Sequence, residues 1–505
     1  MHTVQLLLRP IAYEKIEIER RFHAISHIHN VCVKHMRKQL SILLRDREYQ
    51  TWRSEYIVLI KSDKLSKAEK IRKKELSSHM EERRIALGLD KSELEKYIKG
   101  CAARYRKLLS SQQVQAEAAN VWSGVKSYLF SNGREIHFKK FQDFKTIRGK
   151  SNLNGIRFDP ETKRIQWLGL EMQCYLPKNA ASRDYLLESM SHKISYCTLK
   201  RQLFSNGWRY YLILTLDGNA PLKKVTGTTG RMGIDPGVST MACVTDKDCR
   251  LEELAPYADR YEKQIQSLLI RMDRSRRSNN QKKYLPNGTI DRSEHSKWIN
   301  SKNYDRMLRK LRVLYQKKSL YIRNCHRELC NQLVQMADQI LVERMNYKSL
   351  QKHSKATERK EEASDVTKKD GSVISIHKYK KKKRFGRSLN RRAPALFLSE
   401  LERKITAIGG VYQEVNTKTF KASQYDHSDG TFKKVSLSER MKNINGENVQ
   451  RDLYSAFLIK NADNSLEHPD REKCISEFKQ FVQTQNNLIL SMKESGISMK
   501  QCFGF

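Results

Sequence analysis

The sequence predicts an α+β multidomain chain, and three observations predict it. A strand near Val4 to Leu8 is followed by a long stretch of helical periodicity, from about Tyr13 to Phe130. A strand-rich block then runs from about Gly133 to Gly218. From Thr226 onward strands and helices alternate, the pattern of an α/β sheet. At 505 residues the chain has room for two or three domains and a sizeable core.

The opening "TVQLLLRP" is a strand closed by Pro10. Behind it, "ISHIHNVCVKHMRKQLSILL" places apolar residues at helical spacing, and "SQQVQAEAANVWSGVKSYLF" is amphipathic and Ala-rich. Between them, "KSDKLSKAEKIRKKELSSHMEERRIALGL" is a charged helical stretch with few apolar anchors. It reads as a solvated face or, with its neighbours, as a nucleic-acid-contacting lobe. Trp122, Tyr128 and Phe130 read as core, with stacking on an unpaired base as the sharper alternative. In the strand-rich block, "GIRFDPETKRIQWLGL" is one hairpin and "YCTLKRQLFSNGWRYYLILTLDG" a second, turning at Asn206-Gly207. A β-barrel or small sandwich is expected, completed by the first strand, with the helices as an insertion.

In the α/β part, "MGIDPGV" and "TMACVTD" are strands, and "DQILVERMNYKSL" is a buried strand running into a loop. "ALFLSELERKITAIGGVYQEVN" is a helix and then a strand, broken at Gly409-Gly410. "NVQRDLYSAFLIKNA" closes on a helix, and the tail from Asn464 carries one more.

Charge narrows the partners. Lys and Arg number 97 against 56 Asp and Glu, a net +41 spread along the whole chain. That excess points to a polyanion, with nucleic acid first, because each neutralised phosphate releases a counterion. No apolar run approaches the ~20 residues of a membrane span, so no membrane partner is expected. The start is too charged for a secretory signal, and the ten cysteines lie singly, so an intracellular protein is expected. The densest basic run, "KYKKKKRFGRSLNRR" at 378–392, holds nine Lys/Arg and no acid. It reads as a solvated run or as a phosphate-contacting loop. Its candidate contacts are Lys380, Lys381, Lys382, Lys383, Arg384, Arg387, Arg391 and Arg392.

Three acids carry the chemistry. Asp235 sits inside the apolar strand "RMGIDPGVSTMACVTD", where a carboxylate is costly unless paired, hydrogen-bonded or metal-bound. Glu343 ends the apolar run "QILVE", and Asp452 opens the helix "DLYSAFLI". Taken singly, Glu343 reads as a partner for Arg344 or a helix lysine, and Asp452 as a helix cap. Together they follow the order strand, strand, helix, with which a ribonuclease-H-like sheet brings three carboxylates to one edge. Such a cluster repels itself unless cations neutralise it, and hard oxygen ligands suit Mg²⁺ or Mn²⁺. Two such ions about 4 Å apart activate a water and stabilise the leaving oxygen of a phosphodiester. Asp235, Glu343 and Asp452 are therefore the expected metal ligands and catalytic acids of a nuclease.

"GIDPGVSTMACVTD", "ILVERMNYKSL" and "RDLYSAFLI" resemble the three RuvC motifs of transposon-encoded TnpB nucleases and of the compact type V CRISPR effectors. The resemblance spans nearly the whole chain, and "FGRSLNRRAPALFLSELERKITAIGGVYQEVN" is similar to the run that precedes the family's zinc ribbon. It implies a wedge β-barrel at 1–12 and 132–225, with a helical recognition lobe inserted at 13–131. It further implies an RNase-H-like (RuvC) nuclease domain at 226–420 and 449–505, and a degenerate zinc-ribbon-like insert that binds target nucleic acid at 421–448. The implied activity is RNA-guided DNA cleavage at a single RuvC site. A guide RNA, transposon-derived or CRISPR RNA, pairs with one strand of double-stranded target DNA, and the protein reads a short adjacent motif. A cytoplasmic, nucleoid-associated prokaryotic protein is implied, with one or two copies per RNA left open. Two readings compete: an RNA-guided DNA-binding regulator that does not cut, and an unguided RNase-H-like transposase or resolvase.

The departures from the family pattern concern zinc. Asp426 and Asp429 stand at the first two ligand positions, and Lys442 and Asn445 at the second pair. A lysine ammonium has no lone pair to offer, so no structural zinc is expected and packing must hold the ribbon. His427 reads as a surface histidine rather than a stray ligand. Cys325 and Cys330, flanking His326, read as helix-packing residues. Tyr454 replaces a common Asn, and Leu458 stands where a second is often found. Arg440 keeps the family's place beside the site, as a catalytic clamp on the scissile phosphate or as a structural salt bridge.

Overall fold

The computed structural model describes the chain except residues 63–64, 131–132, 222–228, 352–360, 368–372, 377–385, 434–435, 437–438, 498–502 and 504–505. It divides into two compact units, Met1–Pro221 and Leu222–Phe505. No helix among the described residues is long and apolar enough to cross a membrane.

The first unit opens on β1 (His2–Leu8), where Val4, Leu6 and Leu8 are buried at the period of a half-buried strand. Five helices follow: α1 (Ala12–Leu43), α2 (Arg47–Lys61), α3 (Lys67–Ala86), α4 (Lys91–Ala102) and α5 (Ser111–Phe130). The chain then returns to strands with β2 (Thr146–Arg148), β3 (Ile156–Asp159), β4 (Arg164–Trp167) and β5 (Leu170–Tyr175). After α6 (Ala180–Met190) come β6 (Ile194–Phe204) and β7 (Gly207–Leu216), a hairpin turning at the expected Asn206-Gly207. All seven strands form one antiparallel sheet in the order β2-β6-β7-β1-β5-β4-β3. β1 joins its halves, pairing with β7 along its length and with β5 through Leu7 and Leu8. Because β3 also lies against β6, the sheet curls into a half-barrel rather than a sandwich. The five helices thus enter between its first and second strands.

α3 buries only Leu76 and Met80, so its lysines form a solvated face. Trp122 and Tyr128 pack against the core as expected. Phe130 does not: it is 56% exposed, with the Arg84 guanidinium 4.8 Å from its ring centre.

The second unit begins with an antiparallel meander, β8 (Arg231–Pro236), β9 (Thr240–Val244) and β10 (Cys249–Glu253). Two long helices, α7 (Ala258–Asn279) and α8 (Lys302–Met336), lead to β11 (Gln339–Glu343) and the short α9 (Tyr347–Leu350). A small hairpin, β12 (Ser364–Thr367) and β13 (Val373–Ile376), precedes α10 (Gly386–Arg392) and α11 (Pro394–Ala407). Then come β14 (Val411–Val415), α12 (Thr417–Phe420), the hairpin β15 (Met441–Ile444) and β16 (Glu447–Gln450), α13 (Arg451–Lys460) and α14 (Arg471–Glu494). The main sheet runs β10-β9-β8-β11-β14, with β11 parallel to both β8 and β14. This order, third-second-first-fourth-fifth, resembles the ribonuclease-H-like sheet.

Helices cover both faces of this sheet. Met232, Ile234, Ile340 and Val342 pack with Cys330 and Leu333 of α8 and with Phe397 and Leu401 of α11. Leu341 faces the other way, towards Leu453, Ala456 and Phe457 of α13, which α14 covers with Phe478 and Phe481. Every residue of α13 except Asp452 is buried. One glycine permits this approach: a Cβ on Gly233 would stand 2.1 Å from the Ala456 carbonyl oxygen and 2.3 Å from the Lys460 nitrogen.

Candidate active site

Strand period and register together place the acids. Gly233 faces α13, so Asp235, two residues on, faces the same side. On β11, Leu341 faces α13, and by the same rule so does Glu343. The parallel ladder matches Val342 to Ile234, so the next step sets Glu343 level with Asp235 on adjacent strands, about 4.8 Å apart. Asp452 lies four residues before Ala456, which sits over Gly233. That is about 6 Å of helix, against about 6.6 Å of strand from Gly233 to Asp235, so a helix running against the strand brings the two acids level. The charges of Glu343 and Asp452 do both reach Asp235.

Burial, then Glu343, then Asp452 push the Asp235 carboxyl well above the usual carboxylate range, while Arg451 and Arg440 pull it back. Burial raises Glu343 as well. Asp452 is treated differently. Its Oδ1 accepts from the Arg451 guanidinium at 2.9 and 3.1 Å, and its Oδ2 from Arg440 Nη1 at 3.3 Å. It does not cap α13, since the Leu453 N–H donates instead to the Gln450 side chain at 2.7 Å. Nor does Glu343 pair with Arg344, which lies 3.5 Å from Glu414.

Among the described residues, no three His, Cys, Asp or Glu side chains stand close enough to hold a metal ion between them. The donor chemistry of three carboxylates suits a hard divalent cation. The placement of Asp452 does not, while two arginines occupy its oxygens.

Of the four positions compared above with zinc ligands, Asp426, Asp429 and Lys442 are tied by hydrogen bonds. Asp426 accepts from the Ser428 N–H and hydroxyl at 3.0 and 2.6 Å. Asp429 accepts from Thr431 and pairs with Lys433 at 2.7 Å. Lys442 Nζ donates to the Ser423 carbonyl at 2.7 Å and lies 5.5 Å from the Tyr454 ring centre, and burial draws its pKa down to about 8. Asn445 takes a left-handed turn position before Gly446. His427, read as a surface histidine, is instead buried, because the Tyr454 hydroxyl meets both its backbone N–H at 3.1 Å and its Nδ1 at 2.8 Å. Arg471 clamps the same loop, donating to the His427 and Ser428 carbonyls. Tyr454 thus anchors the loop that carries His427 to α13.

The basic run is only partly in view. Lys380, Lys381, Lys382, Lys383 and Arg384 lie outside the described residues, and of Arg387 the backbone alone is described. Arg391 pairs with Asp259 at 3.3 Å and lines a cavity of about 1050 Å³ with Lys318, Asn390 and Leu350. Arg392, read as a phosphate contact, is instead buried, donating to Glu253 at 2.6 Å, to Asp259 at 3.0 Å and to the Leu254 and Ala255 carbonyls. Cys330 is a core residue of α8, as read, and Cys325 is half-buried. Sequence reading overlooked Arg451, though an arginine directly before a helix-opening acid is a visible signal. It also overlooked Tyr347, whose burial the sequence does not announce.

No family model matches the chain, and no curated protein matches it. Among solved structures it is similar to the cryo-EM structure of the Cas12f1–sgRNA–target DNA complex, at 10% identity and a TM-score of 0.42, over 91% of this chain and 98% of that one. It is also similar to the cryo-EM structure of a CRISPR–Cas12f ternary complex, at 12% identity and a TM-score of 0.23, over 91% and 99%.

Proposed function

We propose that the chain is an RNA-guided DNA endonuclease that cuts at one acid site. The observation that carries this is the register that sets Asp235 and Glu343 level on adjacent strands, with the charge of Asp452 also reaching Asp235. On this reading Asp235, Glu343 and Asp452 would hold Mg²⁺ or Mn²⁺, which would supply an activated water and stabilisation of the leaving oxygen. The chain's own residues do the rest. β8 and β11 fix Asp235 and Glu343 in register, and Gly233 lets α13 bring Asp452 to them. Arg440 and Arg451 pair with Asp452 in the free protein, and on this reading Arg440, once released, pairs with the scissile phosphate. The guide RNA and the duplex target rest on the resemblance of the three motifs, and the net charge of +41 suits both polyanions. On the same reading the 421–448 segment needs no zinc, since Asp426, Asp429 and Lys442 are each bonded to neighbours.

One observation favours a second reading, a guided DNA binder that does not cut. Asp452 is paired with two arginines, and no ligand cluster stands formed among the described residues. A single experiment separates the two. The protein is purified with co-expressed RNA, the RNA is sequenced, and matched DNA is incubated with Mg²⁺ or EDTA using wild type and Asp235→Ala. Mg²⁺-dependent cutting that Asp235→Ala abolishes is expected. Bound RNA without cutting selects the regulator, and no bound RNA returns the chain to an unguided nuclease.

A further inference from the structure

Four residues beyond Glu343 the chain enters α9, and its first residue is Tyr347. The Tyr347 phenol oxygen is buried and has no hydrogen-bond partner among the described residues. Buried tyrosine hydroxyls usually find one, and leaving one unpaired is destabilising. The surroundings make this more pointed. After burial, the charge of Asp235 is the largest influence on the phenol, and Glu343 also reaches it, both pushing its pKa upward. An O–H donor therefore stands within the field of two carboxylates and bonds to neither. Packing alone does not call for the hydroxyl, since a phenylalanine ring fills the same space.

We propose that Tyr347 is a further catalytic residue of the cutting site, its phenol O–H donating a hydrogen bond to a non-bridging oxygen of the scissile phosphate. This rests on the nuclease reading above. A neutral donor suits the place better than a cation. Arg440 and Arg451 show what a guanidinium does here, which is to close on the nearest carboxylate. A phenol beside two carboxylates keeps its proton and stays available to an incoming anion. In the step it assists, the water oxygen forms a new bond to phosphorus and the bond from phosphorus to the leaving sugar oxygen breaks. The water's proton passes to solvent, the leaving oxygen takes one from solvent, and Tyr347 keeps its own.

The test is Tyr347→Phe in the RNA-loaded protein, beside wild type and Asp235→Ala, with matched DNA and Mg²⁺. The cutting rate is expected to fall roughly 10²-fold, the loss typical of one transition-state donor. DNA binding in EDTA is expected to stay at the wild-type level. The melting temperature of the free protein is expected to hold or rise, since the variant deletes an unpaired buried hydroxyl. Sulfur at the contacted phosphate oxygen should slow wild type more than Tyr347→Phe. A variant that cuts as wild type does while Asp235→Ala is dead overturns this proposal alone, as does a lowered melting temperature, which marks a structural hydroxyl. Wild type that fails to cut, or Asp235→Ala that cuts normally, overturns the nuclease reading and this proposal with it.

Discussion

Arg201 and Asp235 are both charged residues pointing into protein, and they are provided for in opposite ways. Arg201, on β6, is fully buried and fully answered. Its guanidinium donates to the Phe144 and Phe141 carbonyls at 2.8 and 2.7 Å and pairs with Glu19, which also accepts from the Tyr210 hydroxyl at 3.0 Å. Three rings, of Phe22, Phe141 and Trp208, lie 4.2 to 4.5 Å from it. Asp235 has other acids as its strongest neighbours and a phenol that does not bond to it. A fold that satisfies one buried charge so completely has the means to satisfy the other. On the nuclease reading proposed above, the charge it leaves frustrated is the one that bound cations relieve.

The contrast breaks most visibly at Arg201. Arg201→Met leaves the Phe141 and Phe144 carbonyls without their donor and takes from Glu19 its ion-pair partner, and removing one partner of a buried pair costs up to about 3–5 kcal/mol. Urea unfolding followed at the first unit should show a loss of that size. A loss below about 1 kcal/mol would mean that the buried network is ornamental and the comparison empty.

At Asp235 the sign reverses. Asp235→Asn removes a like charge from Glu343 and Asp452 without changing shape, so the free protein should melt at a higher temperature than wild type in EDTA. Added Mg²⁺ should then raise the melting temperature of wild type and leave Asp235→Asn where it was, because a ligand stabilises only the state that binds it. Equal responses of the two proteins to Mg²⁺ would place the ions elsewhere.

Strand period and apolar runs made much of this arrangement legible beforehand. The hairpin at Asn206-Gly207, the strands that carry Asp235 and Glu343 and the helix with Asp452 in its first turn follow from local pattern. The pairing of the acids needed more than pattern, because register between β8 and β11 is set by packing over a long loop. Arg201 shows the same limit. Cys197, Leu199 and Arg201 alternate inwards, which is a readable signal, but its carbonyl partners arrive from the segment before β2. His427 was misread because its burial depends on Tyr454, 27 residues away in sequence. Arg392 was misread because a basic run suggests solvent, while Glu253 and Asp259 draw its end inside.

His326 offers the smallest and most selective test, a buried titratable group that the fold keeps neutral. It lies on α8 with 1% of its surface exposed, edge-on to Phe397 with ring centres 5.8 Å apart. Burial draws its pKa down from 6.5 to about 4. Between those values the unfolded chain binds the proton and the folded one does not, so stability is whole above pH 6.5 and falls as pH drops towards 4. At pH 5.5 the deficit relative to pH 7 is about 1 kcal/mol. His326→Leu removes that term, so the difference in unfolding free energy between wild type and variant should shift by this amount between the two pH values. A difference that stays flat would show that the histidine is charged inside the fold. It would then need an anionic partner, as Arg201 does, and would join the answered charges instead of standing apart from them.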